Sequence, residues 1–381
     1  MNAPLVTDQL IEQAQSQTGL TDFGGDSYRP GLELLIAGIN KDSERPEQFL
    51  AINRHMIVKT LADRLQVINA LKEAPELVRS AVEKPVFVFG LPRTGTTLLS
   101  NLLAVDPARR SPLTWELDNP VPPPTTETLF TDPRALAALE AERNLPASVK
   151  AVYRTSAIYP FECVSILAHD FKTLSLESWG KLPEYREYLF STDMTSAYRY
   201  HKKWLQLHQS KAPGVWNLKM PSHALYLETL LSVYPDARLV WTHRDPFTAT
   251  GSFCSIIALG HQNFAGRIDK EWIGEDMSFQ AGEHARRIMD SRARIGHDRI
   301  IDVHYADLMR DPMATVRQLY GALGDALTPQ AEGAMQSWLD SNPQGKFGKH
   351  EYKLAEYGLS KERLEPLFER YLGEYDIERE G

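Results

Sequence analysis

The stretch from Val86 to Val105 constrains the fold of this chain more than any other. Val86-Phe87-Val88-Phe89 is a short run of aromatic and β-branched residues bounded by Pro85 and Gly90, and it reads as a buried strand. Gly90-Leu91-Pro92-Arg93-Thr94-Gly95-Thr96-Thr97 follows, and then an apolar helical run from Leu98 to Val105. A strand, a glycine-containing loop and a helix in that order bring backbone amides to bear on an anion at the helix N-terminus. Gly90 and Gly95 allow the tight turns, residues 94–97 supply the amides, and Thr96 and Thr97 add hydroxyl donors. In a nucleoside-triphosphate loop of the form G-x4-G-K-[ST], a lysine would stand at Thr96. Here the cation sits three positions earlier, at Arg93. The grip on β- and γ-phosphates is therefore missing, which counts against a P-loop kinase or nucleotide hydrolase. A non-catalytic nucleotide-binding protein would need the loop but not Arg93.

Runs of the same texture recur at Val215–Leu218, Leu239–Thr242 and Ile300–Tyr305, with helical patterns at Ser222–Val233, Phe247–Leu259 and Ser278–Ile295. Strands alternating with helices predict an α/β fold of the P-loop type, a central parallel sheet flanked by helices. Two amphipathic helices are expected near 328–340 and 361–373. Residues 1–80 read as an N-terminal helical segment packed on an α/β domain of residues 81–381. Pro46 opens a helix that runs to Ala74, with Ile57, Leu61, Leu65 and Ile68 at helical spacing. Prolines 120, 122, 123 and 124 predict an extended loop over 118–127.

The 42 basic and 50 acidic side chains leave a net charge of −8, which excludes a general nucleic-acid coat. Any anionic ligand must be held by local donors. With 43% apolar and 24% charged residues, the chain is neither disordered nor collagenous. Cys163 and Cys254 are too few for a disulfide framework or a zinc cluster. Residues 1–10 lack the basic and apolar regions of a secretion signal, and no run approaches the roughly 18 apolar residues of a membrane span. A cytoplasmic location is expected.

A second block runs from Arg238-Leu239-Val240-Trp241-Thr242-His243 through Arg244-Asp245-Pro246 to Ser252. It sets an arginine at a strand end and a serine eight residues later in the following helix. A guanidinium fork and a hydroxyl so placed suit a phosphate, although Arg244 alone would equally suit an ion pair with Asp245. Together the two blocks resemble the 5′-phosphosulfate loop and the 3′-phosphate motif of sulfotransferases that use 3′-phosphoadenosine 5′-phosphosulfate (PAPS). The nearest resemblance is to a bacterial branch with kinship to tyrosylprotein sulfotransferases. Leu218-Lys219-Met220-Pro221-Ser222-His223 and Tyr234–Arg238 are similar to the family's run into the 3′-phosphate motif. Val303–Leu308, followed by Asp311-Pro312, resembles its Tyr-Glu-Asp-Leu strand end, with Ala306 where an acidic residue is usual. The likeness spans most of residues 84–360. It implies that Pro92, Arg93, Thr94, Gly95, Thr96, Thr97, Arg244 and Ser252 bind the nucleotide. It also implies that Gly345–Tyr352 closes over it with Lys346 and Lys349, though the family's Arg-Lys-Gly form is absent.

The activity so implied is transfer of a sulfuryl group from PAPS, as co-substrate, to a small-molecule alcohol, phenol or amine, with no metal required. By analogy with phosphoryl transfer, it needs in-line positioning, neutralisation of the leaving oxygen and a base. Arg93 and the loop amides would stabilise the leaving oxygen, and the resemblance offers Lys219 as a second cation. Glu116 is the base expected from the tyrosylprotein branch, by its place after the loop helix. For it to reach the acceptor, Ser111-Pro112 must turn the chain and Thr114–Leu117 run back as a strand. His169 is the rival, because cytosolic sulfotransferases use a histidine, and Glu162, Asp170 and His223 are further candidates. Tyr153, Tyr159, Phe161, Phe171, Trp179, Tyr185, Tyr188 and Tyr198 would either line an apolar acceptor pocket or pack in the core. The helices of residues 1–80 would cover the acceptor side or make a homodimer contact.

Overall fold

A computed structural model describes residues 3–144, 156–343 and 353–380. Five strands form one parallel sheet: β1 (Val86–Gly90), β2 (Arg109–Arg110), β3 (Val215–Lys219), β4 (Arg238–His243) and β5 (Ile300–His304), in the order β2-β3-β1-β4-β5. All five residues of β1 are buried. Phe87 and Phe89 enter one hydrophobic core with Trp216, Leu218 and Trp241, while Val86 and Val88 enter another with Leu99, Leu103 and Val316. Successive side chains of a strand point to opposite faces, so a strand covered on both faces must be apolar throughout.

The chain leaves β1 on one side for β2 and β3 and returns on the other for β4 and β5. Val88 lies opposite Lys219 of β3 and Val240 of β4, so the C-terminal ends of the three middle strands open at one edge of the sheet. Ligands of open parallel sheets bind at that edge, where the strand order reverses.

Three N-terminal helices, α1 (Thr7–Thr18), α2 (Arg29–Lys41) and α3 (Glu47–Glu73), bury Leu10, Leu35, Leu61 and Leu65 in a further core. Phe171, Trp179, Leu182 and Tyr185 complete that core, and Val67, Ile68 and Leu71 of α3 reach the main one. The helix after β1 is α4 (Thr96–Ala104). Next comes a short helix α5 (Thr114–Asp118), where a returning strand was expected; the short strand of this region is β2. Leu113 and Glu116 close the start of α5: the Leu113 amide donates to Glu116 Oε2 at 3.0 Å, which favours a helical turn over an extended run. Helix α6 (Pro246–Phe264) follows β4, α7 (Lys270–Ile295) crosses behind it, and α8 (Lys361–Glu374) closes the fold. The α7 pattern begins eight residues earlier than its apolar periodicity suggests, because Asp269 caps it by accepting from the Trp272 amide at 3.0 Å. No helix of the described residues is long and apolar enough to cross a membrane.

Candidate active site

The loop from Leu91 to Gly95 rises from the open end of β1. Gly95 caps α4 with a φ of 89°, a conformation that glycine adopts without penalty. A Cβ there would lie 2.8 Å from the Tyr305 ring, so only glycine lets the loop pass under Tyr305. The first amides of a helix have no intrahelical acceptor, and no side chain caps those of α4. Thr94 is wholly buried, and its hydroxyl meets Leu91 O at 2.8 Å and Thr242 Oγ1 at 2.6 Å. It ties the loop to β4. Thr97 is exposed, Thr96 and Pro92 are buried.

Arg93 adopts a φ of 74°, a left-handed conformation that costs a non-glycine residue on the order of 1 kcal/mol. That conformation sends its backbone and side chain to two different partners. Arg93 Nε donates to Ser252 Oγ on α6 at 3.1 Å, and Arg93 O accepts from Arg244 Nη1 at 2.8 Å. Arg244 emerges from the end of β4, and its guanidinium lies 4.1 Å from the centre of the Tyr305 ring. Arg93 thus forms one contiguous basic and hydroxylic cluster beside the loop with Arg244 and Ser252, which lie much further along the chain.

Lys219 ends β3 on the other side of the loop. Its ammonium lies 2.7 Å from Glu162 Oε1 and 3.4 Å from Thr97 Oγ1. Glu162 is fastened to the strand through its neighbour, since the Cys163 amide donates to Lys219 O at 2.9 Å. The Glu162 side chain is about a quarter exposed, at 27%.

Two of the proposed bases, Glu116 and His169, are buried and hydrogen-bonded within the fold. Glu116 is wholly buried: one carboxylate oxygen pairs with Arg110 and the other accepts from the Leu113 amide. Arg110 lies in register with Trp216, three residues before Lys219 on β3. Both Glu116 oxygens are thus engaged by its own segment, on Arg110 and on Leu113 at the start of α5. His169 packs against the N-terminal helices, bonded through Nδ1 to Tyr200 Oη at 2.7 Å. Burial pushes its pKa down to about 3, which leaves it neutral and a poor proton acceptor. Lys346 and Lys349, with the loop that carries them, lie outside the described residues. Of the aromatic residues at 153–198, Tyr153 also lies outside, while Phe171, Trp179, Tyr185 and Tyr198 are core residues. Tyr159, Phe161 and Tyr188 are half-buried.

The model of the sulfotransferase family matches residues 85–329, which takes in β1, the loop, Lys219, Arg244 and Ser252. The chain belongs to the sulfotransferase family. The chain is similar to sulfotransferase STF9 from Mycobacterium avium, with a TM-score of 0.92, 39% identity and 100% of both chains covered. Sulfotransferase STF1 from Mycobacterium tuberculosis is similar over 97% of this chain and 99% of its own, with a TM-score of 0.84 and 31% identity. Omega-hydroxy-beta-dihydromenaquinone-9 sulfotransferase Stf3 of Mycobacterium bovis is 25% identical over 318 residues, 78% of this chain and 75% of the relative. This sulfotransferase therefore transfers a sulfuryl group, and the kinase and hydrolase readings fall away. Tyr305, whose ring lies against Gly95 and Arg244, was read in the sequence as part of the Tyr-Glu-Asp-Leu-like strand end, without a role of its own. Glu380, which pairs with Arg244, carried no signal in the sequence.

Proposed function

We propose that this sulfotransferase takes its sulfuryl group from PAPS and passes it to a hydroxyl on a small acceptor. One observation carries the reading: the side chain of Arg93 and the backbone of the same residue join Ser252 and Arg244 to the phosphate loop. A site for one compact anion needs only the loop. A second basic cluster beside it suits a nucleotide with phosphates at both the 5′ and 3′ positions, and the donors present fit that group. When bound, PAPS supplies an activated sulfuryl group and a phosphate leaving group.

In this reading the α4 amides and Arg93 hold the 5′ end, and Arg244 with Ser252 holds the 3′-phosphate. An ammonium has three donors. Lys219 already spends two on Glu162 and Thr97, so its third is available to the oxygen that departs from sulfur. Glu162 takes the proton of the acceptor hydroxyl as its oxygen bonds to sulfur and the bond to the 5′-phosphate oxygen breaks. We assign the base to Glu162 and not to Glu116 because Glu162 is partly exposed and bonded to Lys219, whereas both Glu116 oxygens are engaged. Stf3 is named for an omega-hydroxy menaquinone acceptor, which supports an alcohol on an apolar body as the acceptor class here. No metal is required by this reading, since the nucleotide product keeps both phosphates.

Calorimetry with adenosine 3′,5′-bisphosphate, set against ATP with magnesium, tests the donor. The bisphosphate should bind in the presence of a chelator, and Arg244→Ala should weaken it by roughly tenfold or more while AMP is little changed. Equal losses for both nucleotides would remove the 3′-phosphate assignment.

A further inference from the structure

The segment after α8 returns across the sheet and ends its described path on Arg244. Glu380 Oε1 lies 2.6 Å from Arg244 Nε, and Oε2 lies 2.7 Å from Nη2. This is the fork-to-fork geometry that an arginine offers to a carboxylate or a phosphate. The approach is not that of a loose end. Ile377 packs on the main core, Glu378 pairs with Arg310 at 3.3 Å, and Arg379 lies 4.5 Å from the centre of the Phe247 ring. The Glu380 amide also donates to Asp245 Oδ2 at 3.3 Å, at the cap of α6. Four successive residues thus deliver one carboxylate to the arginine that the proposed function gives to the 3′-phosphate.

We infer that Glu380 is the resident anion of the 3′-phosphate position, exchanging with that phosphate on Arg244 as nucleotide binds and leaves. The inference rests on the PAPS reading above. The two acceptors use the same guanidinium edge, so they exclude one another there. A phosphate dianion brings more charge than the carboxylate and displaces it. The carboxylate is tethered, so it competes at high effective concentration and retakes the arginine when the bisphosphate product departs. Arg244 is then never left as an unpaired cation with only 15% of its side chain exposed. The consequence is a weaker grip on donor and product together and a faster release of product, the step that limits many enzymes. A nucleotide without a 3′-phosphate leaves the Arg244–Glu380 pair intact and feels no competition.

The test is calorimetry of the full chain with adenosine 3′,5′-bisphosphate and with AMP. Glu380→Gln should tighten the bisphosphate by roughly 3–10-fold and leave AMP unchanged. The gain should vanish in the Arg244→Ala background. Glu378→Gln, which removes a neighbouring charge but keeps the Arg244 pair, should behave as wild type. An unchanged bisphosphate affinity in Glu380→Gln overturns the inference, as does equal tightening of AMP or an equal gain in Glu378→Gln. Failure of the donor reading looks different: Arg244→Ala in the otherwise wild-type chain would then weaken both nucleotides alike or neither.

Discussion

Arg93 Nε donates to Ser252 Oγ across 3.1 Å, joining the loop after β1 to the helix after β4. The two residues are 159 positions apart, and only the adjacency of β1 and β4 in the sheet lets them meet. The bond also explains why an arginine tolerates a left-handed backbone at the mouth of the loop. Its Nε is given to Ser252 on α6, and its carbonyl to Arg244.

Arg93→Ala should lower turnover by about 10²–10³-fold, the usual worth of a donor aimed at developing charge. Bisphosphate affinity should change only a few-fold, because the loop amides remain. Arg93→Gly, which relieves the positive φ, should be at least as stable to urea as Arg93→Ala. Steady-state kinetics beside calorimetry separates the effects, and a loss confined to affinity would make Arg93 a binding residue only.

Glu162→Gln should leave bisphosphate binding intact and lower turnover by roughly 10²–10⁴-fold, with Glu162→Asp recovering part of it. Glu116→Gln should act differently. Glu116 is wholly buried against Arg110, and leaving that guanidinium half-paired should cost about 3–5 kcal/mol of stability. A thermal melt and a rate on each variant decide between the two. A stable Glu116→Gln protein with crippled turnover would return the base to Glu116.

Gly95→Ala should reduce both nucleotide affinity and stability. Its Cβ would press on the Tyr305 ring at 2.8 Å, and its φ of 89° is unfavourable for any side chain. Tyr305→Ala should make room for that methyl but release Arg244 from the ring it stacks on. The double variant should therefore recover melting temperature without recovering bisphosphate affinity.

Stability should peak between about pH 6 and 7 and fall on both sides. Burial depresses His169 and His201 to about 3, and His208, His261 and His284 to about 4. Below the ordinary histidine value near 6.5, the unfolded chain takes up protons that the folded chain refuses. Stability is therefore lost as pH falls, by up to about 1.4 kcal/mol per pH unit for each histidine. Glu177 works in the opposite sense. Burial raises it to about 8, against the opposing hydrogen bond that Gln280 Nε2 donates at 2.7 Å, so the folded chain keeps a proton that the unfolded chain releases above about 4.5. Its contribution drains away as pH rises toward 8. Urea melts at pH 5, 6.5 and 8 check both limbs, and Glu177→Gln should flatten the alkaline one.

The sequence alone determined four of the five strands, β1, β3, β4 and β5, and the glycine-containing loop; β2 escaped it. Val86–Phe89 reads as a strand because both of its faces are buried, and an apolar run needs no partner to be named before it is recognised. Gly90, Gly95 and the threonines specify an anion loop because backbone freedom and amide direction are local properties. The placement of Arg244 at a strand end and of Ser252 in the helix beyond it was legible for the same reason. What the tertiary structure decided is which charges face one another. Glu116 and Glu162 are indistinguishable as letters, yet α5 seals the first against Arg110 while the Cys163 amide holds the second beside Lys219. Glu380 reaches Arg244 across 136 positions. Pairing between distant side chains depends on sheet order and chain return, and a carboxylate carries no local pattern that announces its partner.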